Sequence, residues 1–277
     1  DYRHGASSSE CSKRSTLGSS RIPQDAGGLA VRETSTSESC IQFSGVTKSW
    51  GETEVLHGID LALPSETVTA LVGESGSGKS TLLQIANGLL RPDRGAVSVL
   101  GSPIDYHNLP ELRRRMGFAV QGGGLFPHMT VFDNISLVAR LEGWSEAKLS
   151  ERVEELFALF SLQGELADRY PHELSGGQQQ RVSLSRSIML APALLLLDEP
   201  FSALDPITRA SIHEDFNALR SATNSTVLVT HDKAEAVRLA DYLVVLREGR
   251  VMQEGDVGSV RSAPTDEYVS HLFEVLA

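Results

Sequence analysis

TVTALVGESGSGKSTLLQIANGLL, residues 67–90, divides into three pieces: an apolar run suited to a buried strand, a glycine-rich loop, and an amphipathic helix. Within it, Gly73 to Ser80 satisfies G-x-x-x-x-G-K-[ST] at every fixed position. Glycines spaced in this way let backbone N–H groups close on phosphate oxygens. A lysine at the sixth place after the first glycine reaches the outer phosphates, and the following hydroxyl can ligate a divalent cation. Gly73, Glu74, Ser75, Gly76, Ser77, Gly78, Lys79, Ser80 and Thr81 are therefore the expected phosphate cradle, with Ser80 also a candidate metal ligand. A strand before the loop and a helix after it is the context this motif requires.

Outward from the loop the same texture repeats. ALLLLD, TVLVT and YLVVLREG read as buried strands, alternating with helices beyond Gln178, near 206–220 and at KAEAVRLA. That alternation predicts an α/β P-loop NTPase with a parallel sheet covered on both faces. Upstream, CIQFSGVTKSW and TEVLHGIDLALP alternate apolar and polar residues, as antiparallel strands do. Residues 145–168 read as helical, capped by Ser145, within a helical insertion spanning about 122–190. Residues 1–38, rich in Ser, Gly and charge, read as a disordered tail ahead of one domain over 39–277; an Arg-containing organellar transit sequence is the other reading.

The run LLLLDEP carries Asp198 and Glu199 at the end of a strand, where ligands sit in such sheets. Asp198 is placed to hold Mg2+ through water, and Glu199 to act as base toward an attacking water. A second small-residue turn, Leu174-Ser175-Gly176-Gly177-Gln178, precedes another helical run. Ser175 caps helices well, so this is a capping turn or a second anion cradle.

The order of these pieces, Gly73–Thr81, Gln121, LSGGQQQR, Asp198–Glu199, SALD and His231, resembles the ATP-binding subunit of ABC transporters. The resemblance runs from Cys40 to about Gly255. It implies ATP and Mg2+ as cofactors and a head-to-tail dimer. In that dimer Ser175, Gly176, Gly177 and Gln178 would serve the ATP held by the partner's Lys79 loop. Trp50 matches the aromatic that stacks on adenine, although a lone Trp after a strand reads more readily as a core or rim residue. Gln121 matches the glutamine that touches Mg2+ or water and senses the membrane subunit. The Gly122-Gly123-Gly124 that follows it suggests a loose hinge. His231 matches the histidine at the γ-phosphate, and Ser202-Ala203-Leu204-Asp205 the loop that crosses the dimer interface. His128 reads as surface recognition at most.

GLFPHMTVFDNISLV, RYPHELSGGQQQRV and ALDPITR together look like the ATPase of bacterial importers for glycine betaine, choline or carnitine. Amino-acid and other small-solute importers share these phrases in part. The resemblance implies a transmembrane permease and, indirectly, a solute-binding protein as partners, at the cytoplasmic face of the inner membrane. The rival is a soluble ABC protein acting on DNA or ribosomes. The chain carries 36 Asp and Glu against 25 Lys and Arg, a net charge of −11, and no basic stripe, so no nucleic-acid partner is expected. No stretch reaches the roughly 18 apolar residues that span a bilayer. With only Cys11 and Cys40, neither a disulfide framework nor a thiolate metal pair is expected.

Overall fold

The computed structural model describes residues 39–274, except positions 121, 203, 206–208, 210, 211, 214, 215, 217–219, 221 and 222. The 1–38 tail, Gln121 and Ala203 therefore lie outside the described residues. Two sheets organise the rest. Strands β1 (Ser39–Trp50) and β2 (Thr53–Pro64) form a long hairpin, and β4 (Arg94–Val99) and β5 (Ser102–Pro103) extend it to the antiparallel order β2-β1-β4-β5. The second sheet has six strands in the order β10-β9-β3-β8-β7-β6. Its strands β9 (Tyr242–Arg247), β3 (Val68–Val72), β8 (Ser225–Thr230), β7 (Leu194–Asp198) and β6 (Met116–Ala119) are parallel neighbours. The edge strand β10 (Arg250–Asp256) turns back antiparallel to β9.

The unbroken apolar runs follow from burial on both faces. In β7, Leu194 and Leu196 join the core under the antiparallel sheet, with Ile41, Phe43, Leu82 and Leu83. Their neighbours Leu195 and Leu197 point the other way, into a core with Val131, Ile135, Val153, Leu156 and Phe160. Successive strand side chains alternate faces, so a strand with two cores needs apolar residues at every position. The parallel sheet with N-terminal antiparallel strands agrees with the sequence reading.

Helix α1 (Lys79–Ala86) ends sooner than its apolar pattern implies, because Gly88 takes a left-handed φ of 72° just past the Asn87 cap. Helices α2 (Leu109–Arg114) and α3 (Val131–Leu141) flank β6 in sequence. Helix α4 (Glu146–Leu159) starts at the expected cap, where Ser145 accepts the Lys148 N–H. It stops well before residue 168. Phe160 is fully buried, Ser161 turns left-handed at φ 51°, and only a short 3-10 turn, Gly164–Leu166, follows. Helix α5 (Gly176–Ser187) precedes β7, and helix α6 (Lys233–Leu239) links β8 to β9. Within the expected 206–220 helix, Arg209, Ile212, His213, Phe216 and Arg220 are helical. Helices α7 (Val257–Ser262) and α8 (Glu267–Glu274) close the described chain.

Candidate active site

The glycine loop joins the end of β3 to α1, and its glycines are required for different reasons. A Cβ on Gly73 would lie 2.1 Å from the Leu246 carbonyl oxygen of β9. One on Gly78 would lie 2.6 Å from Leu56 Cδ2, with φ at 99°. Gly76 has open space around it but a φ of 82°. The loop is therefore pressed against two strands while its outer curve stays free. Its base is held from below: the Gly249 N–H donates to the Ser77 carbonyl at 3.2 Å, and the His57 N–H donates to the Gly249 carbonyl at 3.0 Å. Sequence reasoning missed this support. The only local signal was the REGR turn between two strands.

Lys79 curls back over the loop. Its Nζ donates to the carbonyls of Gly73 and Glu74 at 2.9 and 2.8 Å, and to Ser77 Oγ at 3.3 Å. Burial lowers its pKa, opposed by the charges of Glu199 and Asp198. Gly78 gives α1 no side-chain cap, so the first-turn N–H groups of the helix stay available to an anion.

A cleft of about 520 Å3 opens here, lined by Val55, Ser75, Gly76, Gly78, Lys79, Ser80, Thr81, Glu199 and His231. Asp198, at the end of β7, accepts the Ser80 hydroxyl proton at 2.8 Å. Burial raises its pKa; the Ser80 hydrogen bond and Lys79 oppose this, and the charge of Glu199 adds to it. Glu199 leaves the strand in a left-handed conformation, φ 46°, with its N–H bonded to the Val229 carbonyl at 2.9 Å. Such a backbone costs about 1 kcal/mol or more in a residue with a Cβ, and strain of this kind collects at functional sites. The turn brings Glu199 Oε2 to 3.2 Å from His231 Nδ1.

The donor set suits Mg2+. Ser80 Oγ and Asp198 offer hard oxygens side by side, and among the described residues no cluster of three or more His, Cys, Asp or Glu is poised for a metal. Mg2+ binds through one or two carboxylates together with substrate phosphates rather than in an all-protein cage. Gln121, the other expected metal contact, lies outside the described residues.

Ser175 and Gly176 are exposed at the start of α5, and no residue of Ser175–Gln178 is among those lining the cleft. Ser175 Oγ accepts the Gln178 N–H at 3.3 Å, and Gln178 Oε1 accepts the Ser175 N–H at 2.9 Å. The capping reading therefore holds within the chain. The cap also fixes an open helix N-terminus that faces solvent. Trp50, at the tip of the β1–β2 hairpin that supplies Val55, is 54% exposed, with Lys48 Nζ 5.6 Å from its ring centroid.

The triple glycine after position 121 is clasped. Arg186 of α5 donates to the carbonyls of Gly123 and Gly124, each at 3.0 Å, and Ser183 Oγ donates to the Gly123 carbonyl at 2.8 Å. Left-handed φ values of 76°, 75° and 52° at Gly122, Gly123 and Gly124 aim those carbonyls at α5. Beside this loop lies a groove of about 690 Å3 whose lining includes Val120, Gly124, Phe126, Val138, Leu141 and Arg186.

A model of the ABC transporter family matches residues 56–202. The chain is 43% identical over 234 residues to the glycine betaine uptake system ATP-binding protein YehX of Escherichia coli, covering 84% of this chain and 76% of that protein. It is 44% identical over 229 residues to the glycine betaine/carnitine/choline transport ATP-binding protein OpuCA of Bacillus subtilis, and spans 60% of that protein's length against 82% of its own. Among solved structures, the dimeric post-hydrolysis state of the ATP-binding cassette MJ0796 with ADP and Pi aligns with a TM-score of 0.71 at 30% identity. That alignment covers 78% of this chain and 98% of the other.

Proposed function

This chain belongs to the ABC transporter family, and from that premise we propose that it hydrolyses MgATP to drive import of a small osmoprotectant such as glycine betaine, choline or carnitine. The observation that carries the reading is the separation of the two cradles. The cleft at Lys79 contains Glu199 and His231 but draws no lining residue from Ser175–Gln178, whose helix end is exposed. A second copy facing head to tail would bring that open helix N-terminus, with its partial positive charge, onto the γ-phosphate of the first. The dimeric state of the MJ0796 cassette supports an assembly of two copies.

In the mechanism, Lys79 exchanges its loop carbonyl partners for phosphate oxygens and offsets their charge. Ser80 and Asp198 would hold Mg2+, which would supply charge neutralisation to the phosphates of ATP. Glu199 accepts the proton of the attacking water at its carboxylate, and His231, 3.2 Å from that carboxylate, orients it and faces the γ-phosphate. Trp50 offers its exposed face to adenine, with Lys48 behind it. The groove beside Gly124 and Phe126 is the face offered to a transmembrane permease. The chain would then sit at the cytoplasmic face of the membrane; no helix among the described residues is long and apolar enough to cross one. The solute itself would be read by another subunit, the permease or a solute-binding protein.

The test uses two inactive variants. Lys79→Ala removes the phosphate partner, and Ser175→Arg fills the helix end that would receive the facing chain's γ-phosphate. Mixed and reassembled, half the dimers are heterodimers on statistical pairing, each with one intact site. Activity should return to about a quarter of wild type if sites act independently. No rescue, together with no ATP-dependent dimer of Glu199→Gln by sedimentation, would refute the composite site. Uptake of labelled glycine betaine by proteoliposomes carrying the copurified membrane partner tests the solute, and absence of uptake counts against it.

A further inference from the structure

Directly behind Glu199 and His231 lies a buried polar group that the mechanism above does not use. His213 and Glu235 are 6% and 4% exposed, and His213 Nε2 lies 3.2 Å from Glu235 Oε1. The other oxygen of Glu235 takes the Thr230 hydroxyl proton. Thr230 Oγ1 in turn accepts the Asp232 N–H at 3.0 Å. The residue enclosed by this turn is His231.

The same imidazole also bears on the other partner. His213 packs edge-on against Phe201, centroids 5.0 Å apart, and Phe201 follows Glu199 by two positions. The ring thus meets Phe201, two residues past Glu199, and Glu235, four past His231, and the side chains of Glu199 and His231 meet at 3.2 Å in the cleft. Arg209, four residues earlier and so on the same helical face, adds a second strut. Its Nη1 lies 3.0 Å from Asp232 Oδ2 and its Nη2 donates to the Leu204 carbonyl at 3.3 Å. Asp232 itself caps α6 by accepting the N–H groups of Ala234 and Glu235. A buried ionisable pair contributes little stability that apolar residues of equal volume would not match. What it adds here is direction: each hydrogen bond fixes an orientation that an apolar contact would leave free.

We propose that His213, acting through Glu235, Thr230 and Phe201, is a positioning residue for ATP hydrolysis that sets where His231 stands relative to Glu199. This rests on the reading of the cleft as a hydrolytic site. A displacement of about 1 Å of catalytic groups costs on the order of 100-fold in rate.

The experiment compares His213→Ala with His213→Gln in the full chain, measuring MgATP turnover. His213→Ala should lower kcat by ~10-fold or more, with KM for ATP essentially unchanged. His213→Gln keeps a donor for Glu235 and should restore most of the loss. The imidazole nitrogen resonances of His231 should move in His213→Ala and return in His213→Gln. Wild-type kcat in His213→Ala, or a loss that tracks the unfolded fraction and is no better in His213→Gln, would overturn the proposal. Should His213→Ala fail to fold, Thr230→Val removes the hydroxyl at constant shape: lower kcat at unchanged KM is expected, and wild-type kcat refutes. A wild-type chain without ATPase activity, or a fully active Glu199→Gln, would sink the reading of the cleft instead; the His231 resonances would still decide the brace.

Discussion

Alanine substitutions at Gly73, Gly76 and Gly78 should destabilise the protein in a fixed order that differs from their order in the motif. At Gly76 nothing lies within 4 Å of an added Cβ, so the cost is backbone strain at φ 82°, about 1–2 kcal/mol. Gly78→Ala carries similar strain plus a contact of 2.6 Å with Leu56 Cδ2. Carbon atoms prefer about 3.5–4.0 Å, and overpacking of this kind costs about 1–3 kcal/mol, giving about 2–5 in all. Gly73→Ala places its Cβ 2.1 Å from the Leu246 carbonyl oxygen. Backbone in a parallel strand cannot rotate away as a leucine methyl can, so this variant should be the worst. For a domain of this size each kcal/mol lowers Tm by about 2–4 °C, so Gly76→Ala should lose about 2–8 °C and Gly78→Ala about 4–20 °C. Thermal unfolding without nucleotide reads these shifts. The reasoning also demands coupling. Leu56→Ala costs about 2–5 kcal/mol alone but should cost at least ~1 kcal/mol less beside Gly78→Ala, because it removes the clashing methyl. Strict additivity in that cycle, or a Gly76 variant as damaged as the Gly73 one, would refute the steric account.

Substitutions at two further positions probe charged groups. Burial raises the Asp198 pKa above its ordinary value, so the native state binds more protons than the unfolded one between those two values, and stability falls as pH rises through that window. Asp198→Asn should therefore melt higher than wild type at neutral pH, with the gap closing toward acid, while MgATP hydrolysis drops on the order of 100-fold. A gap independent of pH, or a less stable variant at neutral pH, would contradict this. Arg186→Ala removes the two charged hydrogen bonds to Gly123 and Gly124 and should cost about 2 kcal/mol in urea unfolding. Arg186→Lys should recover little of this, because an ammonium lacks the planar fork that reaches both carbonyls. Full recovery by lysine would argue for charge alone.

The sequence by itself determined the parts whose cause is local. Strand, glycine loop and helix around Lys79 follow from residue type and spacing, because glycine takes left-handed turns without the cost a Cβ brings and only an apolar run survives burial on both faces. The LLLL of β7 placed Asp198 and Glu199 at a strand end for the same reason. Helix ends were less legible. The apolar pattern continues past Ala86 and Leu159, while Gly88 and Ser161 turn left-handed there. Tertiary structure decided what depends on residues distant in the chain. Gly73 is required because Leu246 crosses above it, and Gly249 because a Cβ there would lie 2.1 Å from the Val55 carbonyl oxygen. The triple glycine looks loose in sequence and is held by Arg186, which no local pattern could reveal. The brace at His213 was invisible for the same reason. A histidine in a helix has no special meaning until the fold closes Glu235, Thr230 and Phe201 around it, because hydrogen bonds and close contacts are read in space and not along the chain.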